Sequence, residues 1–283
     1  VQSLLRLLVA LLVSTLMVPM AIARPLDEVT KSGEITIFVY ADYAPYSWKD
    51  GDEVKGIDAD IARAMAKQLG VKLNFLIRAA DENVDDDLRV NIWKGDLIHR
   101  KAADVMLHVP FDRELEVRAE SRAVLFNPYF GEQIAVVFDA DKLPEVRTYG
   151  RFTANPIAVE LDTASDFFLS NAFRGQLHQS IRRGRTFLDA VKLIENNEAP
   201  ALMASRAQTE WVKFRNPERN FKVAQPPAPG LVRTQWPIAM AVREDSRDLG
   251  YALGDVISTL KTSGELKAIF ARYGVQLLEP VIK

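Results

Sequence analysis

The stretch ADYAPYSWKDGDEVKGIDADIARAMAKQLG (41–70) sets an aromatic-rich turn ahead of a glycine, an Asp-x-Asp pair and an amphipathic helix. Three kinds of chemistry use such parts: an acid-base site, a metal loop, and the wall of a small-molecule cleft. Asp58 and Asp60 alone are a weak metal site. At the start of a helix their charges complement the positive end of its dipole, so they read as structural. A second acid-rich run, DENVDDD (81–87), offers the oxygen donors a hard cation takes but lacks the spaced ligands and glycine of a calcium loop. A solvated loop capping the helix at Leu88 is expected there, and no metal. There is no Gly-x-Ser-x-Gly, no His-Glu-x-x-His, no phosphate loop and no cysteine for thiol catalysis, disulfides or thiolate zinc. No catalytic group and no cofactor is expected, which leaves the cleft wall.

The elements that must position such a wall are legible along the chain. With 48% hydrophobic residues the 283-residue chain buries a core, and a net charge of −2 without a basic arm argues against a nucleic-acid partner. EITIFVY (34–40) alternates and is β-branched, which predicts a strand. From Ile57 the apolar positions Ile61, Met65 and Leu69 recur on one helix face, and Gly70 stands where a left-handed C-cap is wanted. KLNFLI (72–77) predicts the next strand, followed by a helix around Leu88 to Trp93 and the buried strand ADVML (103–107). A second series starts near Gln133: strands QIAVVF and PIAVE (156–160), helices over 165–173 and 186–196, strand ALMAS (201–205) and a helix carrying Trp211. After the turn-rich AQPPAPGLVRTQWP come strand IAMAV (238–242) and two helices ending at Tyr273-Gly274. The basic run RGQLHQSIRRGR reads as a solvated helix rather than a docking face. Strands alternating with helices imply an α/β fold with mostly parallel sheets.

Taken in order, YAPYSW, Gly56-Ile57-Asp58-Ala59-Asp60-Ile61-Ala62, LGVKLNF, ADVML, DRELEV and NPYF resemble the family 3 extracellular solute-binding proteins, the periplasmic amino-acid receptors of ABC importers. Each motif is weak, whereas the ordered set is specific. The resemblance implies a two-lobed type II periplasmic binding fold, each lobe a mixed, mostly parallel sheet flanked by helices. Lobe 1 is then 24–131 plus 237–283 and lobe 2 is 132–236, joined by two crossover strands with the ligand between them. It sets the aromatic ligand wall on Tyr43, with Tyr46 beside it in place of the usual Phe and Trp48 closing the motif. It maps the carboxylate-gripping arginine onto Arg113, a residue able to fork two parallel hydrogen bonds. His108 stands where a small hydroxyl residue is common. In lobe 2 the usual Gly-Thr-Thr/Ser turn is replaced by Leu161-Asp162-Thr163-Ala164-Ser165, which leaves Asp162 and Thr163 toward the ligand. Where these receptors carry an Asp for the ligand's ammonium, this chain has Arg206. An arginine there repels an ammonium, so either the solute is an anion without the amine or Arg206 turns away. Trp93 and Trp236 are further cleft candidates, and Trp211 reads as packing. DLR, IWKG, ADVMLHVP and PYF also resemble a divergent branch of these proteins associated with periplasmic quinoprotein alcohol dehydrogenases.

Arg6, the apolar run 7–18, Pro19 and the triplet Ala21-Ile22-Ala23 have the order of a signal peptide cleaved after Ala23, so residues 1–23 are expected to direct export to the periplasm. The leading expectation is a non-catalytic, monomeric receptor that closes on a small polar or anionic solute, amino-acid-like or an organic acid, and delivers it to an inner-membrane ABC permease. Two others stand beside it. One is a cyclic-acid dehydratase on the same fold, with His108 as acid or base. The other is an accessory protein of a periplasmic quinoprotein dehydrogenase.

Overall fold

The computed structural model describes residues 24–282; the signal peptide expected over 1–23 lies outside them. Helix α1 (Leu26–Ser32) precedes β1 (Glu34–Tyr40), whose bounds match the alternating run. A small antiparallel ribbon follows, made of β2 (Asp42–Tyr43), β3 (Ser47–Asp50) and β4 (Glu53–Lys55). Helix α2 (Ile57–Leu69) buries Ile61 and Met65, and Gly70, at φ 68, closes it by donating to the carbonyls of Ala66 and Lys67. Then come β5 (Lys72–Arg78), α3 (Val84–Leu88) running into a π-turn over Arg89–Trp93, β6 (Val105–Pro110) and α4 (Arg113–Ala119).

Strand β7 (Ala123–Asp139) is 17 residues long and is the spine of the molecule. The second series contributes β8 (Ile157–Glu160), α5 (Ala164–Asn171), β9 (Ile181–Gly184), α6 (Phe187–Glu195), β10 (Ala201–Ser205), α7 (Arg206–Arg215) and β11 (Phe221–Ala224). The chain returns along β12 (Gln235–Arg243) and ends in α8 (Arg247–Thr262) and α9 (Glu265–Arg272). The main sheet has the order β5-β1-β6-β12-β7-β10-β8-β9, with β11 also on β7. β1 pairs in parallel with β5 and β6, and β8 in parallel with β9 and β10, whereas β12 and β7 run antiparallel to their neighbours. The first part of β7 is paired with β12 from Ala123 to Gln133, and from Ile134 onward it is paired with β10, so two half-sheets share one continuous strand.

Two sequence expectations change. The run read as a solvated helix, RGQLHQSIRRGR, is a turn leading into edge strand β9. Gly184 ends it with its Cα so close to α6 that a Cβ would lie 2.1 Å from the Ala190 amide nitrogen, an approach that only glycine permits. The helix expected around Leu88 starts earlier, because Asn83 accepts from the Asp86 amide and caps α3. The acid-rich loop is otherwise spent on local contacts: Asp86 binds Arg89, Asp85 binds Arg118, and Asp87 takes the Tyr40 hydroxyl at 2.8 Å. Among the described residues no group of three or more His, Asp or Glu is placed to hold a metal ion, and no helix is long and apolar enough to cross a membrane.

Candidate functional site

A cavity of about 540 Å³ opens where the two half-sheets meet. Its walls come from the C-terminal ends of parallel strands and the N-termini of helices, the position where α/β sheets present ligand sites. On one side Tyr40 ends β1, Asp42 and Tyr43 come from the ribbon strand β2 and His108 from β6; on the other stand Glu160 at the end of β8 and Thr163 and Thr186 at helix starts; Trp236 comes from β12, which lies between β6 and β7. Thr163 and Thr186 cap α5 and α6, accepting from the amides of Asp166 and Asp189. A smaller compartment of about 180 Å³ adjoins it, lined by Ile134, Met203, Ser205 and Gln208. The aromatic side is a continuous cluster: Tyr43 meets Tyr40 edge-on at 5.7 Å, His108 edge-on at 5.0 Å and Tyr46 at 5.0 Å between ring centroids.

Beneath the lining lies a buried polar layer. His108, at a left-handed φ of 60, meets the carboxylate of Asp58 through Nδ1 at 3.1 Å, while the Tyr129 hydroxyl donates to the other oxygen of Asp58 at 2.9 Å. Such a backbone conformation is costly for a non-glycine residue, and this network holds it. Glu132 lies on β7 close to where its pairing passes from one half-sheet to the other. It accepts from the Gln133 amide at 2.8 Å and from the Tyr46 hydroxyl, which also lies 3.1 Å from Ser205 Oγ. Burial pushes its carboxyl up to about 7, against the amides of Gln133 and Ala207 and the charge of Arg206. Burial likewise raises Glu160 to about 7, opposed by a hydrogen bond from the Phe187 amide. The Tyr43 hydroxyl is held well above the usual phenol range by burial and by the charges of Glu132, Glu160 and Asp58.

Three of the residues singled out from the sequence, Tyr43, His108 and Thr163, line this cavity together with the further candidate Trp236. Tyr46 is fully enclosed under it, and Trp48 packs behind it against Trp211 and Tyr273, with centroids 5.8 and 5.9 Å away. Asp162 is exposed and on neither lining, its amide bonded to Asp166. Arg113 is placed outside the cleft. Asp112 caps α4 by accepting from the Glu114 and Leu115 amides, so Arg113 starts the helix facing solvent, with 83% of its side chain exposed and Glu116 at 3.7 Å. Arg206, buried at 2% exposure, turns away from the cavity: it pairs with Glu210, donates to the Gln276 carbonyl at 2.7 Å and lies 5.7 Å from the Phe130 ring. Trp93 sits elsewhere, with the Arg122 guanidinium over its ring at 5.8 Å. The sequence reading had not singled out Glu160, Glu132, Arg185 or Thr186. Glu160 closes the strand PIAVE just ahead of a helix start, which is the signal that marks it.

Residues 35–87 match the family model of the bacterial extracellular solute-binding proteins, family 3, which bears out the resemblance read from the sequence. No curated protein matches. Among solved structures the chain is similar to an ancestral cationic amino acid solute-binding protein, with TM-score 0.69, 19% identity and coverage of 88% of this chain and 98% of that one. It is also similar to an amino acid ABC transporter substrate-binding protein from Streptococcus pneumoniae bound to L-arginine, with TM-score 0.64, 20% identity and coverage of 90% and 99%. A solute receptor for L-cysteine of Neisseria gonorrhoeae follows at TM-score 0.59, 22% identity and coverage of 88% and 93%. The fold is thus the type II periplasmic binding fold expected from the motifs.

Proposed function

We propose that the protein is an exported, non-catalytic receptor for a small polar solute of amino-acid type, which it delivers to an ABC permease. The observation that carries this is a cavity lined from both sides: Tyr43 of the ribbon and His108 of β6 on one, Glu160 and Thr163 on the other. A solute that touches both walls gains contacts in the closed state that the open state cannot offer, which is the thermodynamic basis of hinge closure. We take the lobes as 24–131 plus 237–283 and 132–236, with β7 and the return into β12 as crossovers. The neighbours that bind L-arginine and L-cysteine support an amino-acid-like solute. The objection that Arg206 repels an ammonium falls away with that side chain paired to Glu210. The test is a thermal-shift screen of the chain from residue 24 against amino acids, amines and organic acids. Stabilisation by one class, weakened in Trp236→Ala, is expected; a folded protein unmoved by every solute overturns the reading.

One observation favours a second reading, an accessory of an exported quinoprotein dehydrogenase. A depression of about 720 Å³ beside the cavity shares Trp236 and Pro110 with it and presents Phe167, 60% exposed, and Val232, 97% exposed. Apolar side chains grouped like this at a cleft suit a protein contact. Co-elution with a purified dehydrogenase, abolished by Phe167→Asp and Val232→Asp, supports it; no co-elution removes it.

A further inference from the structure

Tyr43, Glu160, Thr163 and Trp236 line both the larger and the smaller compartment, so they frame the neck between them. Glu160 is the charged member of that set. Its carboxyl has the Phe187 amide beside it, and among the described residues it makes no ion pair. Glu160 is partly buried, and a carboxylate half removed from water without a positive partner is an unfavourable arrangement in an empty site that becomes a favourable one when a ligand brings the charge.

The rest of the lining points the same way. Among the described residues Arg185 is the one arginine on either lining, and it is exposed; Arg113 and Arg206 are elsewhere. His108 has Nδ1 engaged with Asp58. Against these stand two carboxylates, Glu160 and Asp42. Tyr43 and Trp236 add aromatic rings at the neck, and such rings attract a cation through their quadrupoles.

We propose that the neck is an ammonium subsite, in which Glu160 receives the cationic nitrogen of an organic amine or amino acid and Tyr43 and Trp236 wall it. The subsite rests on the receptor reading and names the solute class: ammonium-bearing, not a simple organic anion. A charge-assisted hydrogen bond replaces the missing cation, and the bound charge lowers the proton affinity of Glu160, so binding near neutral pH releases protons. The ionisable groups that share the lining with Glu160 are Tyr40 from β1, Asp42 and Tyr43 from β2, His108 from β6 and Arg185 ahead of α6; Asp58 lies behind His108, and Glu132 acts on Tyr43 from below.

The experiment is isothermal titration at neutral pH with three probes of similar length, L-lysine, 1,5-diaminopentane and glutarate, in buffers of different ionisation heat. Wild type is expected to bind at least one of the two ammonium probes with proton release and to ignore glutarate. Glu160→Gln is expected to weaken that binding roughly tenfold or more and to abolish the proton release; Trp236→Leu weakens it while leaving the proton release in place. Glutarate binding without the amines, or Glu160→Gln binding as wild type does, overturns the subsite and leaves the receptor reading standing. If none of the three binds, the subsite falls. The receptor reading falls with it only if the broad thermal-shift screen is also blank.

Discussion

Asp58 and His108 meet at 3.1 Å in a place where their side chains are 2% and 6% exposed. The first is in the opening turn of α2, the second near the end of β6, and the Tyr129 hydroxyl from β7 completes the set. One carboxylate therefore ties a helix, a strand of the lining and the crossover strand together. Removing its charge leaves polar groups enclosed with poorer partners. Asp58→Asn is expected to lose about 2–4 kcal/mol by urea denaturation, and Tyr129→Phe about 1 kcal/mol. An Asp58→Asn variant as stable as wild type contradicts this role.

Glu132 makes stability depend on pH with a definite sign. Its folded value of about 7 lies above the ordinary range, so between about pH 4.3 and pH 7 the folded chain holds a proton that the unfolded chain has lost. Stability falls as pH rises through that window and levels off above it; Glu160, also raised to about 7, adds in the same direction. Glu132→Gln removes its share, so its advantage over wild type should grow from pH 5 to pH 8, by about 3 kcal/mol at most. A difference between the two proteins that stays constant across this range counts against the buried, ionising Glu132.

Gly56 joins the ribbon to α2 at φ 122, and a Cβ there would lie 2.2 Å from the Tyr46 carbonyl oxygen. Its amide donates to the Tyr273 hydroxyl, which itself donates to Asp60, and burial together with Asp60 pushes that phenol up to about 12. Gly56→Ala meets both the wrong backbone region and a backbone clash, with an expected loss of about 3 kcal/mol or more. Thermal denaturation checks it. A shift of less than a degree or two would mean that the turn relaxes freely.

The pair Arg206 and Glu210 braces α7 against the C-terminal segment through the Gln276 carbonyl and the Glu210 contact with the Gln276 amide at 2.9 Å. Glu210→Gln leaves a buried guanidinium without its counter-charge, which costs about 3 kcal/mol. Arg206→Met together with Glu210→Gln is expected to cost less than the sum of the single changes, with a coupling of about 1–3 kcal/mol in a denaturation cycle. Solute binding should survive the double change, because neither residue lines the cavity. Loss of binding with the fold intact would put Arg206 back in the cleft.

Much of the scaffold is written in short-range pattern. The bounds of β1 and the end of α2 at Gly70 follow from alternation, helical spacing and the conformational freedom of one glycine, all local properties. The ribbon β2 to β4 and the edge strand β9 were harder to read, because strands of two to four residues carry too little periodicity to separate them from turns.

For the site, Tyr43 was legible because it lies in the motif YAPYSW, whereas His108 and Thr163 stand at positions where the chain departs from the family pattern; their meeting in one cavity is what the structure adds. The sequence by itself determined the α/β alternation, the aromatic turn before α2 and the absence of hydrolase, thiol and phosphate-loop signatures, since these depend on residue identity and spacing alone. Tertiary structure decided the charge of the cavity. Arg113 points to solvent because Asp112 caps its helix, and Arg206 points inward because Glu210, one turn away, and the Gln276 carbonyl receive it. Glu160 is left facing Tyr43 and Trp236 because β8, β2 and β12, far apart in the chain, end at one cavity. Where a long side chain sends its charge is set by partners distant in sequence, and no local pattern encodes that.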